Sequence, residues 1–165
     1  MERAILSVLM ILLSGRIGFA MSDRLKKRTE QLRLLISMLE EMSALMKYRA
    51  VSTDELLKTL SEQPAFRDSE FLSLFARERE LPFREAWCAA AKKTVFFSED
   101  DRRILLYLGE RLGTTDPEGQ LSLFSISREF AERGFAEAEE EYRAKGQLIR
   151  KVSLLCGAAV GILIL

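Results

Sequence analysis

Three consecutive acids, Glu99, Asp100 and Asp101, are the side chains whose type and spacing come nearest to those of a chemical site. Clustered carboxylates can bind a divalent cation or transfer protons. The chain contains no histidine, so the mixed nitrogen and oxygen ligands of many catalytic metal sites are missing. The acids follow Ser98, a residue type that commonly caps helices, and acids are favoured in a first helical turn. We interpret them as a solvated helix cap and predict no metal site.

Other arrangements that perform catalysis are missing as well. Without histidine there is no Ser-His or Cys-His pair, and the chain has no phosphate-binding loop of the GxxxxGK[ST] type. Glu137 and Glu141 have the spacing of paired acids. On so charged a helix, such carboxylates are usually solvated and paired with neighbours such as Arg133 and Lys145. We predict a protein that is not an enzyme and that uses no cofactor, metal or small-molecule substrate.

Charge excludes a further class of function. The chain has 25 Lys and Arg residues and 25 Asp and Glu residues, which gives a formal net charge of zero. Proteins that bind nucleic acid usually carry a basic surface that neutralises phosphates. We therefore predict no nucleic-acid partner, and binding or assembly becomes the expected class of function.

The hydrophobic residues are concentrated at the two ends of the chain, in the runs Ala4–Met21 and Val152–Leu165. A membrane-spanning helix needs about 20 apolar residues, which the first run nearly reaches. The second run is shorter, so it spans only if the bilayer thins or if the helix starts at Leu148. Arg16 interrupts the first run, but it lies toward a basic flank, where its side chain can reach lipid headgroups.

Basic residues follow the first apolar run and precede the second. Because cytoplasmic flanks of membrane spans carry the excess of Lys and Arg, both flanks predict a cytoplasmic middle. We predict transmembrane segments at 1–22 and 148–165 in the cell membrane, around a cytoplasmic helical domain at 23–147. The juxtamembrane basic residues, which signal this topology and can contact lipid headgroups, are Arg24, Lys26, Lys27, Arg28, Arg150 and Lys151.

Three alternatives stay open, two for the topology and one for the chemistry. The first run has some features of a cleaved secretory signal, with cleavage after Ala20, although the basic residues downstream argue against export. The chain would then be an independent helical interaction protein, signal-cleaved or at the membrane surface, with no role in secretion. The C-terminal run can also be a partly inserted or core-packed helix. A membrane-surface enzyme that acts on lipid through Glu99, Asp100 and Asp101 is a third alternative, and these acids would then be essential for activity.

The interior pattern predicts helices separated by caps and breakers. Leu25, Leu32, Leu39 and Met46 recur every seven residues, which indicates a long helix that packs along a neighbour, in a bundle or in an intermolecular coiled coil. Further helices are predicted to begin near 53, at Asp68 or Ser69, at Pro82, at Ser98 and from Pro117, the last running into the C-terminal apolar segment. Trp87 is expected to be a core anchor whose indole N–H meets a carbonyl or the surface, and Gly113 is expected to be a left-handed helix-terminating residue.

Several stretches together resemble the stage III sporulation protein AB family. They are IGF at 17–19, RLKKRTEQLRLLISMLEEM at 24–42, LGERLGTTDPEGQ at 108–120 and the short apolar C-terminus. This family is in turn similar to the cytoplasmic domain of the type II secretion and type IV pilus inner-membrane F proteins. The chain departs from those proteins at residues 49–52, where they usually carry a Gly-Leu-Pro-Leu turn.

The resemblance implies an all-α fold: a six-helix antiparallel bundle-like domain flanked by N- and C-terminal transmembrane helices. It further implies a platform in a secretion-like complex that spans the envelope between mother cell and forespore, with the central domain in the mother-cell cytoplasm. The implied partners are a secretion-type ATPase, the other membrane proteins of the sporulation channel, the lipid bilayer and further copies of the chain in a homo-oligomer. We predict partner contacts at Gly109, Glu110, Arg111 and Gly113, although close packing and a helix cap also explain the glycines.

Overall fold

The computed structural model describes the backbone of residues 2–49, 53–78 and 80–164. It describes side chains at 16–48, 55–78, 80–146, 148, 149, 151–153, 155, 156 and 159. Within these residues the chain forms six α-helices and no β-strand, so the predicted all-α class with six helices is confirmed. The helices are α1 (Glu2–Arg49), α2 (Thr53–Glu62), α3 (Glu70–Arg77), α4 (Phe83–Lys93), α5 (Glu99–Arg111) and α6 (Pro117–Ile164), with a 3₁₀ turn at Pro64–Phe66.

Both apolar ends continue charged helices without a break. α1 and α6 each contain 48 residues, and α6 runs from Pro117 into the C-terminal apolar run as the sequence predicts. Residues 50–52, in the segment where the sequence departs from the Gly-Leu-Pro-Leu pattern, lie outside the described residues.

The chain divides into two compact units. The terminal unit contains Met1–Thr29 and Glu137–Leu165, and the central unit contains Glu30–Ala136. Each long helix therefore contributes residues to both units.

The core of the central unit is built on the repeat of α1. Leu32 and Leu39 are at most 1% exposed, as is Met42 between two members of the repeat, whereas Leu25 and Met46 are half-buried. This helix therefore packs along a neighbour, as its heptad spacing predicts. α6 runs antiparallel to it, because Arg128 pairs with Glu40 at 3.2 Å while Arg33 lies over the ring of the later residue Phe135 at 5.4 Å.

An aromatic cluster joins α3 to α4. Phe71, Phe75, Phe83 and Trp87 lie with neighbouring ring centroids 4.6 to 6.3 Å apart. Trp87 is fully buried, and its Nε1–H donates to the carbonyl of Leu105 in α5 at 2.6 Å. The predicted core role of Trp87 is confirmed, and its single polar atom is satisfied within the core.

The predicted caps of α3 and α5 are present. Ser69 Oγ accepts from the N–H of Leu72 at 3.3 Å. Ser98 and Asp101 form a reciprocal capping box, with bonds of 3.1 Å and 2.9 Å between the side chain of each and the N–H of the other. The prediction that all three acids are solvated is wrong for Asp101, which is only 2% exposed, because the box holds its carboxylate against the core.

Within the terminal unit, α1 and α6 also run antiparallel. Gly18 lies so close to α6 that a Cβ atom there would lie 2.3 Å from Ser153 Oγ, and Ser22 lies beside Gly146. Arg28 pairs with Glu141 at 3.4 Å, and Lys145 pairs with the same carboxylate at 2.9 Å, which confirms the predicted Lys145 partner.

No helix in the described part of the chain contains a stretch that is long and apolar enough to cross a membrane. The predicted segments at 1–22 and 148–165 fall largely on side chains outside the described residues, namely those of 1–15 and most of those after 153.

Candidate functional site: the end of α5 and the paired ends of α1 and α6

The end of α5 is positioned by its contact with the indole of Trp87. A Cβ atom at Gly109 would lie 2.1 Å from Trp87 Cδ1, so only glycine permits this approach of α5 to α4. The closeness also allows the short hydrogen bond from the indole to Leu105, one turn earlier on α5. Gly109 is buried and therefore contributes packing between helices.

The next two residues, Glu110 and Arg111, have exposed side chains. The backbone carbonyl of Glu110 accepts a hydrogen bond from Arg84 Nη2 at 2.7 Å, which ties the last turn of α5 to the first turn of α4. The Arg111 guanidinium lies 4.6 Å from the centroid of the Tyr107 ring, a cation–π geometry. This end of the helix thus presents one acidic and one basic side chain on a backbone that contacts with Trp87 and Arg84 hold in place.

Gly113 ends α5 in the left-handed conformation that its position predicts, with φ of 78°. Its N–H donates to Gln120 Oε1 at 3.2 Å, and the amide nitrogen of Gln120 donates to Thr115 Oγ1 at 2.8 Å. Gln120, 3% exposed, therefore locks the link between α5 and α6. Sequence reasoning missed it, because nothing in the local pattern distinguishes this glutamine from a solvated helix residue.

The predicted contact set thus separates into two pairs. Gly109 and Gly113 are explained by packing and by helix termination, while Glu110 and Arg111 are the members with exposed charged side chains. In the described residues, no three His, Cys, Asp or Glu side chains are grouped as a metal would require.

A groove between α2, α3 and α4 is a second feature that the sequence did not reveal. It encloses about 370 Å³, and its apolar wall includes Leu57, Phe75 and Phe83, with Lys58 and Glu62 along α2. The helical pattern identifies such residues only as core-facing, since it does not show where two short helices leave a gap between them.

The basic residues that the sequence predicts to be juxtamembrane have different surroundings. The Arg28 side chain is only 16% exposed and pairs with Glu141, so it belongs to the contact between α1 and α6. Lys27 is exposed and lies 3.6 Å from Asp23. Arg24, Lys26 and Lys151 are also exposed, whereas the side chain of Arg150 lies outside the described residues.

Large apolar side chains surround the same helix pair. We refer to them as the apolar belt, and they are between 46% and 68% exposed: Ile17, Phe19, Met21, Leu148, Val152 and Leu155. A single exposed apolar residue is ordinary, but a group of this size on one helix pair is typical of a surface that another phase or molecule covers.

The sequence model of the family described as stage III sporulation protein AB matches residues 3–165. The chain belongs to this family. Membership in the stage III sporulation protein AB family associates the protein with sporulation, and the family is not a known family of enzymes.

Comparison with solved structures supports the fold. The structure titled "Stage III sporulation protein AB (SpoIIIAB)" is similar to this chain with a TM-score of 0.57 and 22% sequence identity. The match covers 70% of this chain and 96% of that one, and at this identity it shows a common fold. No curated protein sequence matches the chain.

Proposed function

We propose that the protein is a membrane-anchored platform in a sporulation-specific, type II secretion-like complex between mother cell and forespore, and that it performs no catalysis itself. Both ends would be transmembrane helices in the cell membrane, with the central unit in the mother-cell cytoplasm. The observation that carries the proposal is the apolar belt, since a freely dissolved helix pair would bury such side chains against each other. Membership in a sporulation family supports the cellular setting.

The proposed partners are a secretion-type ATPase, the other membrane proteins of the sporulation channel and further copies of the chain. Glu110 and Arg111 are the proposed contact residues, because they are exposed on a helix end that Trp87 and Arg84 hold rigidly. A rigid surface loses little conformational entropy on binding, which favours a role in positioning partners.

Alkaline extraction tests the anchor. Membranes from sporulating cells are washed at high pH, and we expect the full chain to stay in the membrane fraction, as a helix that crosses the bilayer does. N-terminal sequencing of the same material separates the alternatives, since a protein beginning near Met21 has lost a signal peptide. Release of the intact chain into the wash contradicts the anchor.

Site-specific crosslinking tests the partners. A photoreactive residue replaces Glu110, and the matched control replaces Arg67, an exposed residue in the loop before α3. We expect the Glu110 probe to capture the ATPase or a channel protein during sporulation and the control to capture neither. Equal capture from both positions, or capture from neither, contradicts this contact site.

A further inference from the structure

We propose that the paired ends of α1 and α6 bind anionic phospholipid headgroups through exposed cations in the helical turns of the apolar belt and in the turns next to it. The inference rests on the proposed membrane anchor and adds to it the chemical identity of the lipid. We refer to these cations as the basic collar: Arg16, Arg24, Lys26, Lys27, Lys145 and Lys151.

The contact between the two helices fixes which side chains point outward. Gly18 faces Ser153 and the carbonyl of Ile149, while Ser22 faces Gly146, so small residues fill the seam. A narrow seam leaves no room between the helices for large side chains. The apolar belt and the basic collar are therefore both on the outside of the pair, and all their side chains are exposed.

Cations and apolar side chains occupy the same levels along the pair. Arg16 directly precedes Ile17, and Lys151 directly precedes Val152, in the turns that adjoin the Gly18 contact. A surface that alternates in this way matches the boundary of a bilayer, where lipid phosphates meet the first methylene groups. Neither water alone nor hydrocarbon alone satisfies both kinds of side chain.

The sign of the charge selects among lipids. Residues 16–28 and 142–151 contain nine Lys or Arg residues and one acid, Asp23, although the whole chain has equal numbers of each sign. Basic residues beside a membrane are attracted to anionic headgroups, and the attraction increases with each cation. Nucleic acid would also attract cations, but it offers nothing to cover six large apolar side chains, so the interleaving favours lipid.

Spin-labelled lipids measure this preference directly. The full chain is reconstituted in phosphatidylcholine vesicles that contain a trace of spin-labelled phosphatidylglycerol or spin-labelled phosphatidylcholine. The motionally restricted fraction of each label gives the relative association constant of the two lipids. We expect phosphatidylglycerol to associate at least about threefold more strongly at low salt, and we expect the preference to fall in about 1 M salt because screening shortens the range of the charges.

Two charge variants locate the effect. Arg16→Gln, Lys26→Gln and Lys151→Gln together remove half of the basic collar and are expected to lower the preference for phosphatidylglycerol by at least about half. The matched control, Lys58→Gln with Lys92→Gln, removes exposed cations from the central unit and is expected to leave the preference unchanged.

Each outcome has a separate meaning. Restricted signals of equal size for both lipids, at low salt, overturn the headgroup proposal while the anchor stands. If neither lipid shows a motionally restricted fraction, the membrane anchor is contradicted as well. Displacement of phosphatidylglycerol by an added RNA oligonucleotide would assign the collar to nucleic acid and also overturn the proposal, as would an equal loss of preference in the control variant.

Discussion

At the scale of single residues, the packing of the helices depends on glycines at positions where a Cβ atom would clash with a neighbouring helix. Gly109 is the clearest, because Trp87 occupies the space where a Cβ atom would be. Its backbone conformation does not demand glycine, since only Gly113 has a positive φ among the described glycines. Glycine is therefore required at 109 because two helices touch there, and the local sequence does not reveal that contact.

Gly109→Ala is expected to lower the free energy of unfolding by about 1 to 3 kcal/mol, the usual cost of forcing extra atoms into a filled core. The indole must shift, and the hydrogen bond to Leu105 lengthens with it. Urea unfolding followed by circular dichroism at 222 nm measures the change. Glu110→Ala, one residue along and exposed, should stay within about 0.5 kcal/mol of the parent. Equal stability of the two variants contradicts the packing role of Gly109.

At the scale of helices, caps determine where each helix begins, and small residues at a contact determine how closely two helices approach. The capping box of α5 is unusual in that Asp101 is buried while Glu99 and Asp100, in the same turn, are exposed. Asp101 therefore has a structural role in the cap, whereas Glu99 and Asp100 are solvated.

Ser98→Ala removes the hydroxyl that accepts from the N–H of Asp101. We expect a loss of about 1 kcal/mol in stability, together with faster amide hydrogen exchange in the first turn of α5. Ser125→Ala changes an exposed serine inside α6 and serves as the control, since alanine is at least as good a helix former there. Unchanged exchange at Asp101 and Arg102 would show that the cap does not hold this turn.

Gly18→Leu is expected to separate α1 from α6 in the terminal unit, because the new side chain meets Ser153 directly. Spin labels on cysteines at Phe19 and Val152, in a chain whose two native cysteines are replaced, measure the distance between the helices. We expect a longer and broader distance distribution in the variant. Ala20→Leu places the same side chain at an exposed position and should leave the distribution unchanged. A change in both variants would indicate a general effect of bulk.

The elements show where sequence reasoning succeeds. Caps at Ser69 and Ser98, the left-handed Gly113 and the unbroken course of α6 were all predictable, because each depends on a few neighbouring residues. Gln120, the burial of Asp101 and the groove beside Leu57 were not, because each depends on helices that are distant in sequence. At the candidate site, the sequence pointed to residues 109–113 as partner contacts, which stays a prediction, and it did not separate Glu110 and Arg111 from the two structural glycines.

At the scale of the whole molecule, α6 contributes buried residues to both compact units. Phe124 and Ala131 are buried in the central unit, and Ala138 is buried in the terminal unit. The link that precedes this helix is exposed at Thr114, Thr115 and Asp116. Exposed links of this kind tolerate insertion and cutting, because few contacts depend on them.

A protease recognition sequence inserted between Thr114 and Thr115 tests this organisation. After cleavage we expect the two fragments to co-elute in mild detergent, since the contacts of α6 do not require a continuous backbone. Adding Phe124→Asp, which buries a charge in the core of the central unit, should cause the cleaved fragments to separate. Separation of the fragments without that substitution contradicts the prediction.

The chain has a single tryptophan, and it lies where α3, α4 and α5 meet. Intrinsic fluorescence excited at the indole therefore reports on one core position, without any added dye. Emission that stays constant while a partner binds means that the central unit acts as a rigid support. A shift in emission means that docking reaches the core, so one optical titration distinguishes a passive platform from one that changes shape.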